Sequence, residues 1–292
     1  MKELLILSGK GGTGKTSITG CFALLAASPV LLDCDVDASN LPLLFSHEIL
    51  EEREFKAGFA PRIMQEKCVS CRLCEKLCRW GAITFENGTP DIEETCEGCG
   101  VCADNCPKKA ILMEEKLCGK LFHSRTPFGD LFHARLLPGR ENSGKLISEL
   151  RRLAKEEGEK RNAELLISDG PPGIGCPVIS SATGVDHAVI VTEPTLSGIH
   201  DMRRLASLLR QFEIPFALLI NKADLHNEHT LGLEKWAEEN RIPLLGKIPF
   251  DPFFPQALQA GKSILEFAPD SPLSGKIRSI WKKIESFLNN PT

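Results

Sequence analysis

The stretch Gly9-Lys10-Gly11-Gly12-Thr13-Gly14-Lys15-Thr16 has the pattern G-x-x-x-x-G-K-[ST] of a phosphate-binding loop. An apolar run at residues 4–7 precedes it and predicts a buried strand, while residues 17–27 predict a helix. Glycines let backbone N–H groups face an anion, and the helix N-terminus adds its positive dipole end. We therefore expect nucleotide contacts from Gly9 through Ser17. Lys15 would reach the β- and γ-phosphates, and the Thr16 hydroxyl would hold Mg²⁺.

Lys10 places a second lysine near the start of this loop. The two-lysine loop resembles the deviant P-loop of the MinD/ParA/nitrogenase iron protein class. In that class the extra lysine reaches across a dimer interface to the nucleotide of the partner. The resemblance therefore implies a homodimer that closes on ATP.

The composition limits the classes of partner. The chain has 292 residues, 42% of them hydrophobic, and a formal net charge of −4, so it has no bulk attraction for nucleic acid. No apolar run approaches the about 18 residues of a membrane-spanning helix. Residues 1–7 lack the basic start and the cleavage site of a signal peptide. We expect a cytoplasmic protein without a nucleic-acid partner.

Two further predicted strands end in carboxylates. Residues 29–32 lead into Asp35 and Asp37, and this segment is similar to switch I of the class, D-x-D followed by N-L. The similarity implies that Asp35 orients the attacking water, and it assigns no role to Asp37. The apolar run at residues 164–169 ends in Asp169, where a Walker B aspartate that holds Mg²⁺ through water belongs.

A fifth strand, residues 216–221, ends in Asn221-Lys222-Ala223-Asp224. This sequence resembles the N-K-x-D base-reading motif of P-loop proteins, whose aspartate reads guanine in GTPases. In the MinD class the asparagine contacts adenine instead, helped by the loop that here follows Pro249. The two-lysine loop favours the MinD class, so the resemblance implies ATP rather than GTP.

Eight of the twelve cysteines form two runs with the same spacing. The runs are Cys68-x2-Cys71-x2-Cys74-x3-Cys78 and Cys96-x2-Cys99-x2-Cys102-x3-Cys106-Pro107. Each matches the bacterial ferredoxin spacing, although Arg79 stands where the first run would have its proline. A zinc site is the alternative, but zinc sites pair two C-x2-C units and need neither run of four.

The ferredoxin resemblance implies two [4Fe–4S] clusters in which the fourth cysteine of each run completes the other cluster. The implied ligand sets are Cys68, Cys71, Cys74 and Cys106 for one cluster, and Cys96, Cys99, Cys102 and Cys78 for the other. The predicted insert covers residues 63–113. The predicted ATPase domain then comprises residues 1–62 and 114–292.

The remaining chain predicts an α/β fold. Strands at 186–193, 216–221 and 243–249 alternate with helices at 198–211 and 231–239, which indicates a doubly wound, mostly parallel sheet with its ligand at the strand C-ends. Apolar residues recur at helical spacing from Leu273 to Leu288. We expect this helix to dock on the sheet, and the alternative is a membrane contact of the MinD kind.

Four residues near these motifs carry no assigned chemistry: Cys118, His123, His133 and Cys176. The histidines are interpreted as structural or surface groups, and the thiols as small apolar side chains. The alternative for Cys118 and Cys176 is a labile cluster shared across a dimer.

Together the motifs predict an ATPase that turns over slowly without a partner. The first functional hypothesis is that nucleotide-driven dimerisation is coupled to electron transfer to an unknown redox partner. The alternatives are an iron–sulfur cluster carrier or assembly factor, and a MinD/ParA-like spatial organiser with a redox-sensing ferredoxin module.

Overall fold

The computed structural model describes residues 1–140 and 142–289. Its strands are β1 Lys2–Ser8, β2 Val30–Asp33, β3 Glu48–Ile63, β4 Ile83–Glu86, β5 Thr89–Ile92, β6 Ile111–Arg125, β7 Asp130–Leu136, β8 Leu165–Pro172, β9 His187–Thr192, β10 Phe216–Ile220 and β11 Leu244–Lys247. Its α-helices are α1 Lys15–Leu25, α2 Leu73–Leu77, α3 Val101–Asp104, α4 Ser143–Lys160, α5 Cys176–Ala182, α6 Leu196–Gln211, α7 Asn227–Glu239, α8 Phe253–Gln259, α9 Ile264–Phe267 and α10 Pro272–Asn289.

The chain divides into two compact units. The larger unit comprises Met1–Arg53 and the chain from Lys120 onward, and the smaller unit is Glu54–Gly119. Strands β3 and β6 carry the chain from one unit into the other. The smaller unit contains the whole of residues 63–113, the range that the cysteine spacing predicts for an insert.

A nine-stranded sheet has the order β11-β10-β9-β1-β8-β2-β7-β6-β3. The pairs from β11 to β7 are parallel, which confirms the predicted mostly parallel α/β fold. Strand β1 shows why: Leu4 and Ile6 enter one apolar core while Leu5 and Leu7 enter another. A strand that is apolar on both sides requires cover on both faces, and crossover helices provide it.

Helices cover both faces of this sheet. One core includes side chains of α1, α8, α9 and α10, and the other includes those of α5, α6 and α7. The apolar side of α10 lies entirely in the first core, in agreement with the predicted docking of the terminal helix: Leu273, Ile277, Ile280, Trp281, Ile284, Phe287 and Leu288 are all buried. In the described part of the chain no helix is long and apolar enough to cross a membrane.

Three strands of the sheet were not predicted, namely β3, β6 and β7. Strand β3 is largely exposed and rich in charged residues, so it lacks the apolar alternation by which a strand is found in a sequence. Strand β7 pairs with β2 in parallel. Only four residues join β6 to β7, which is too few for a parallel crossover, so β7 runs antiparallel to β6.

The smaller unit has a two-stranded antiparallel sheet of β4 and β5 and the two short helices α2 and α3, which pack against each other. Its apolar core is small. Ile83, Cys102 and Ile111 are the buried members, and half-buried cysteines pack around them.

Candidate functional site

The glycine-rich loop connects β1 to α1, as predicted. Gly14 has φ 86°, and a Cβ there would lie 2.5 Å from Nδ2 of Asn221. A Cβ on Gly9 would lie 2.3 Å from Cβ of Asp201 on α6. Both positions therefore require glycine, the first for its left-handed backbone and both for the close approach of a neighbouring element. The side chain of Asn221 in turn donates to the Thr13 carbonyl at 2.7 Å, which ties the loop to the end of β10.

Asp169 lies on β8, buried behind the loop. Its carboxylate accepts hydrogen bonds from the Thr16 hydroxyl at 2.6 Å and from the Thr19 hydroxyl at 2.8 Å. The Lys15 ammonium lies 2.8 Å from the same carboxylate as an ion pair, without the alignment of a hydrogen bond. The residues predicted for Mg²⁺ and phosphate are thus in mutual contact. Thr19 was not predicted, because its hydroxyl sits inside α1 and reaches Asp169 only through the fold.

Lys10 is held by Glu193, a residue to which the sequence assigned no role. Its ammonium lies 2.5 Å from Glu193 and also contacts the hydroxyls of Thr195 and Ser197, each at 3.2 Å. Lys222 approaches the other oxygen of Glu193 at 2.9 Å and donates to the Gly12 carbonyl at 2.8 Å. Burial acts to raise the pKa of Glu193, but the two lysines outweigh it, so the pKa is lowered.

Asp33 organises the segment that resembles switch I. It is fully buried at the end of β2 and accepts hydrogen bonds from the Asp35 and Leu41 backbone N–H groups and from the Ser39 hydroxyl. Burial raises its pKa, and the neighbouring Asp169 carboxylate raises it further. Partial burial also raises the pKa of Asp35, against the opposing effect of Lys15. Asp37 is exposed.

One cleft joins most of the predicted nucleotide-binding residues. Its lining includes Gly11, Gly12, Thr13, Gly14, Lys15, Thr16, Ser17, Asp35, Asn221, Lys222 and Pro249. Phe250, Phe254 and Leu258 add an apolar end to the cleft, a feature that the sequence motifs did not indicate. Asp224 accepts a hydrogen bond from the Phe250 backbone N–H at 2.6 Å, so its carboxylate fixes this loop. Gly9, Lys10 and Asp169 lie outside the lining, next to it in the chain or behind it.

The cysteine runs lie in the smaller unit. Cys68, Cys71, Cys74 and Cys106 line a single apolar cleft. These four are the ligand set that the ferredoxin spacing implies for one cluster. Cys78 and Cys102, from the other set, pack in the small core, while Cys96 is half-buried and Cys99 is exposed.

Backbone groups already point at two of the sulfurs. The Ala82 N–H donates to Cys78 Sγ and the Ala110 N–H donates to Cys106 Sγ, both at 3.3 Å. Burial raises the pKa of Cys74 and of Cys102. Neighbouring thiols raise them further, Cys71 and Cys68 for the first and Cys96 for the second.

The separation of the sulfurs bears on the zinc alternative. A tetrahedral zinc site with Zn–S bonds of about 2.3 Å brings its sulfurs to about 3.8 Å from one another. Among residues 1–140 and 142–289, no three cysteine sulfurs lie within 4.8 Å of one another. The thiols that share the cleft thus do not converge on one point in the way that a tetrahedral zinc site requires.

Comparison with known proteins confirms the family that the nucleotide-binding motifs predict. The family described as CobQ/CobB/MinD/ParA nucleotide binding domain matches residues 4–264. The chain belongs to this family. An uncharacterized protein of Methanocaldococcus jannaschii, MJ0578, is 32% identical over 98% of this chain and 97% of its own length. The predicted membership of the MinD/ParA class of P-loop ATPases is therefore confirmed.

Solved structures of MinD/ParA proteins share the fold. The cell division ATPase MinD of Pyrococcus furiosus superposes with a TM-score of 0.60 at 16% identity, over 98% of this chain and 99% of that one. The septum site-determining protein MinD of Pyrococcus horikoshii, complexed with Mg-ADP, gives the same score and identity over 98% and 96% of the two chains.

Three of the four residues without assigned chemistry have local explanations in this MinD/ParA-family protein, whereas the interpretation of Cys176 as a packed apolar thiol is wrong. Cys118 is buried and donates to the Ala57 carbonyl at 3.2 Å, as a structural thiol does. His133 stacks on Phe122, and His123 stacks on Phe132. Cys176 is exposed at the first turn of α5.

Proposed function

We propose that this protein binds and hydrolyses ATP with Mg²⁺, carries two [4Fe–4S] clusters, and couples nucleotide-driven homodimerisation to electron transfer to a redox partner. The observation that carries the proposal is the cleft lined by Cys68, Cys71, Cys74 and Cys106. Those residues come from both runs, and their combination is the one that two-cluster ferredoxins use.

The nucleotide end of the proposal rests on the contacts around Asp169. Thr16 and Asp169 would hold Mg²⁺, and Lys15 would offset phosphate charge in place of its present ion pair with Asp169. Asp35 would position the attacking water. Its backbone N–H donates to the Asp33 carboxylate, and its own partly desolvated carboxylate lines the same cleft as the loop. Preorganised charges of this kind account for most of the catalysis in phosphoryl transfer.

Adenine is the base that the cleft favours. The Asp224 carboxylate, which would read guanine in a GTPase, is engaged with the Phe250 backbone. In the described residues the buried Oδ1 of Asn221 has no hydrogen-bond partner, so it is an acceptor free for an amino group such as the one on adenine. The Mg-ADP bound by the Pyrococcus horikoshii MinD supports the same choice.

Lys10 would act at the dimer interface after leaving Glu193. In the single chain its charge is compensated by Glu193, and its side chain is about 70% buried there. A second ATP-loaded protomer would offer the phosphates of its own nucleotide as the competing anion. Formation of the dimer would then replace the ion pair between Lys10 and Glu193 by one between Lys10 and the phosphates of the partner's nucleotide.

The eight cysteines fit a [4Fe–4S] pair better than zinc, because each run has the ferredoxin spacing and the four thiols implied for one cluster, Cys68, Cys71, Cys74 and Cys106, line one cleft. The clusters would supply one-electron chemistry. The chain's part is to hold them with eight thiolates and to direct backbone N–H groups at the sulfurs, as at Cys78 and Cys106. Complete ligand sets favour electron transfer over delivery of a labile cluster.

The test is anaerobic reconstitution followed by iron and sulfide assays, electron paramagnetic resonance after reduction, and ATPase assays. About eight irons per chain are expected. The Cys106→Ser variant should lose roughly half of them, since it removes one ligand of one cluster.

Two outcomes would contradict the proposal. Stoichiometric zinc without charge-transfer absorbance would refute the clusters. Equal ATPase rates and equal dimerisation with oxidised and reduced clusters, and no transfer of electrons to any carrier, would leave the family ATPase without the proposed coupling. An anaerobic pull-down with a hydrolysis-blocked variant and ATP then identifies the partner of the closed state.

A further inference from the structure

Charge is divided between the two cysteine runs of the smaller unit. All the basic residues of positions 63–113 lie in two segments, next to Cys68–Cys78 and just after Cys106: Lys67, Arg72, Lys76, Arg79, Lys108 and Lys109. Positions 80–107 contain neither lysine nor arginine. That stretch, which holds the second run, carries instead Glu86, Asp91, Glu93, Glu94, Glu97 and Asp104.

The basic segments meet at the cleft that Cys68, Cys71, Cys74 and Cys106 line. Arg72 and Lys108 belong to the lining of that cleft, and so do Val69 and Leu73. Val69 is 57% exposed and Leu73 is 38% exposed, so the apolar part of this lining faces solvent. Lys76 follows Leu73 by three residues on α2 and so lies on the same side of that helix. We call Val69, Leu73, Lys76 and Lys108 the basic rim.

The lysines of the basic rim are not neutralised within the unit. The ion pairs of Glu54–Gly119 are Lys56–Glu54, Arg62–Glu114 and Arg72–Glu75, counted over the described residues. Arg72 is thus already compensated, and it also lies 5.1 Å from the centre of the Phe85 ring. Lys76 and Lys108 are exposed and available to carboxylates of another molecule.

We propose that the basic rim is the docking site of an acidic protein electron carrier, which exchanges electrons with the cluster held by Cys68, Cys71, Cys74 and Cys106. This inference rests on the proposed function. An apolar centre with a charged margin is the anatomy of a protein–protein interface. Exposed apolar side chains, few cations and an acidic chain make a nucleic acid a poorer occupant.

Helix α2 places the rim close to a cluster ligand. Leu73 is the neighbour of Cys74 on this helix, and a helix with its side chains is about 10 Å across. A carrier on the rim therefore comes within roughly that distance of the Cys74 sulfur. In the transfer step the carrier loses one electron and the cluster gains it, passing from the 2+ to the 1+ state, and no bond is formed or broken.

The test measures binding of flavodoxin, an acidic one-electron carrier, to the iron-loaded protein by anaerobic calorimetry at two ionic strengths. The double variant Lys76→Glu/Lys108→Glu should bind about tenfold more weakly at low salt, with little remaining salt dependence. The matched control, Glu93→Lys/Glu94→Lys, reverses two exposed charges beside the other run. It should bind flavodoxin as well as the wild type or better. Stopped-flow reduction of the clusters should follow the same order.

Each other outcome contradicts the docking site. Unchanged flavodoxin binding in Lys76→Glu/Lys108→Glu overturns it, as does equal weakening in both double variants. Tighter binding of a basic c-type cytochrome, or of an RNA oligonucleotide that displaces flavodoxin from the rim, overturns the choice of an acidic protein. A preparation without iron refutes the proposed function itself, whereas iron-loaded protein that ignores flavodoxin refutes only this inference.

Discussion

The nucleotide cleft and the cysteine cleft differ in how their reactive groups are compensated. At the nucleotide cleft the charges pair with each other, Lys15 with Asp169 and Lys10 with Glu193. In the described part of the smaller unit, backbone N–H groups donate to Cys106 of the cysteine cleft and to Cys78 of the other ligand set. The charges of the nucleotide cleft are thus compensated without a ligand, whereas the thiols of the cysteine cleft would be compensated by the proposed clusters.

The apolar cores show the same contrast. The larger unit has an extensive core on each face of its sheet. The core cluster of the smaller unit has three buried residues, Ile83, Cys102 and Ile111, and three of the seven half-buried residues packed against it are cysteines. A domain of this size rarely folds on so little apolar burial without a metal or a disulfide. The clusters would thus complete the core of the smaller unit.

The largest effect should come from removing the iron. Chelation under anaerobic conditions should lower hydrogen-exchange protection across Glu54–Gly119 by at least about a hundredfold, because cluster binding and folding are coupled in such units. The larger unit should keep its protection, since its two cores do not include the cysteine runs. Hydrogen exchange with mass spectrometry resolves the two units in one experiment.

Cys176 gives the matched control for this contrast. It is exposed and lies outside both runs, so Cys176→Ser should hold the same iron as the wild type, about eight atoms per chain. A fall from about twenty irons per dimer to about sixteen in this variant would instead show a shared third cluster. Full protection of the smaller unit without iron would break the comparison altogether.

The second effect concerns the two lysines of the loop. Lys15→Ala should lower ATP turnover at least about a hundredfold, because it removes the main positive charge beside Asp169. Lys10→Ala should bind nucleotide within about threefold of the wild type, yet fail to dimerise, because Lys10 is expected to act on the partner's nucleotide. Nucleotide titrations and sedimentation with a non-hydrolysable ATP analogue measure these effects.

Lys15→Ala also leaves the buried Asp169 charge unpaired, so its thermal unfolding is recorded alongside. Thr16→Ala removes an expected Mg²⁺ ligand without a change of charge and should lose turnover while keeping the fold. Normal ATP-dependent dimerisation of Lys10→Ala would contradict the cross-dimer role of Lys10.

How far the sequence reaches follows from these residues. The loop, Asp169 and the cysteine sets could be predicted because they are local patterns with fixed spacing. The apolar run Leu4–Leu7 likewise predicts a strand that is covered on both faces. Glu193 could not be found in this way, because Lys10 and Glu193 lie on different elements and only the fold joins them. The motif indicates Asp35, whose half-buried carboxylate lines the cleft, and not Asp33, whose buried carboxylate accepts hydrogen bonds from the backbone. Strand β3 has too many charges to show its period.

A smaller effect is expected at Glu193. Glu193→Gln keeps the shape of the side chain and removes the charge that holds Lys10 and Lys222. Dimerisation with the ATP analogue should then occur at roughly threefold to tenfold lower protein concentration, as expected for a partly buried ion pair worth about 1 kcal/mol. Sedimentation at several protein concentrations gives the dimer dissociation constant.

Ser197→Ala is the control, because it removes only a 3.2 Å contact of Lys10 and leaves the ion pair. Its dimer dissociation constant should stay close to that of the wild type. Weaker dimerisation of Glu193→Gln would mean that Glu193 itself contributes to the interface, and the self-compensated picture of the nucleotide cleft would have to be given up.

The last effect, a pH dependence, should belong to the larger unit alone. His133 stacks on Phe122 and faces His47, and burial, with further repulsion from His47 and Arg135, lowers its pKa to about 4. In the unfolded chain a histidine has a pKa of about 6.5. Below that pH the unfolded chain takes up a proton that the folded chain refuses, so stability falls as the pH decreases from about 6.5 to about 4.

The total loss is at most about 3 kcal/mol at 1.4 kcal/mol per pH unit. Denaturant titrations of wild type and His133→Phe at several pH values measure it. Below about pH 6.5 the unfolding free energy of the wild type should fall relative to that of His133→Phe, and above that pH the difference between the two should stay constant. Because the protonation site lies on β7, iron-loaded and iron-free protein should show the same slope. A slope that vanishes on chelation would place the titrating group in the smaller unit and assign the pH dependence to the cysteines.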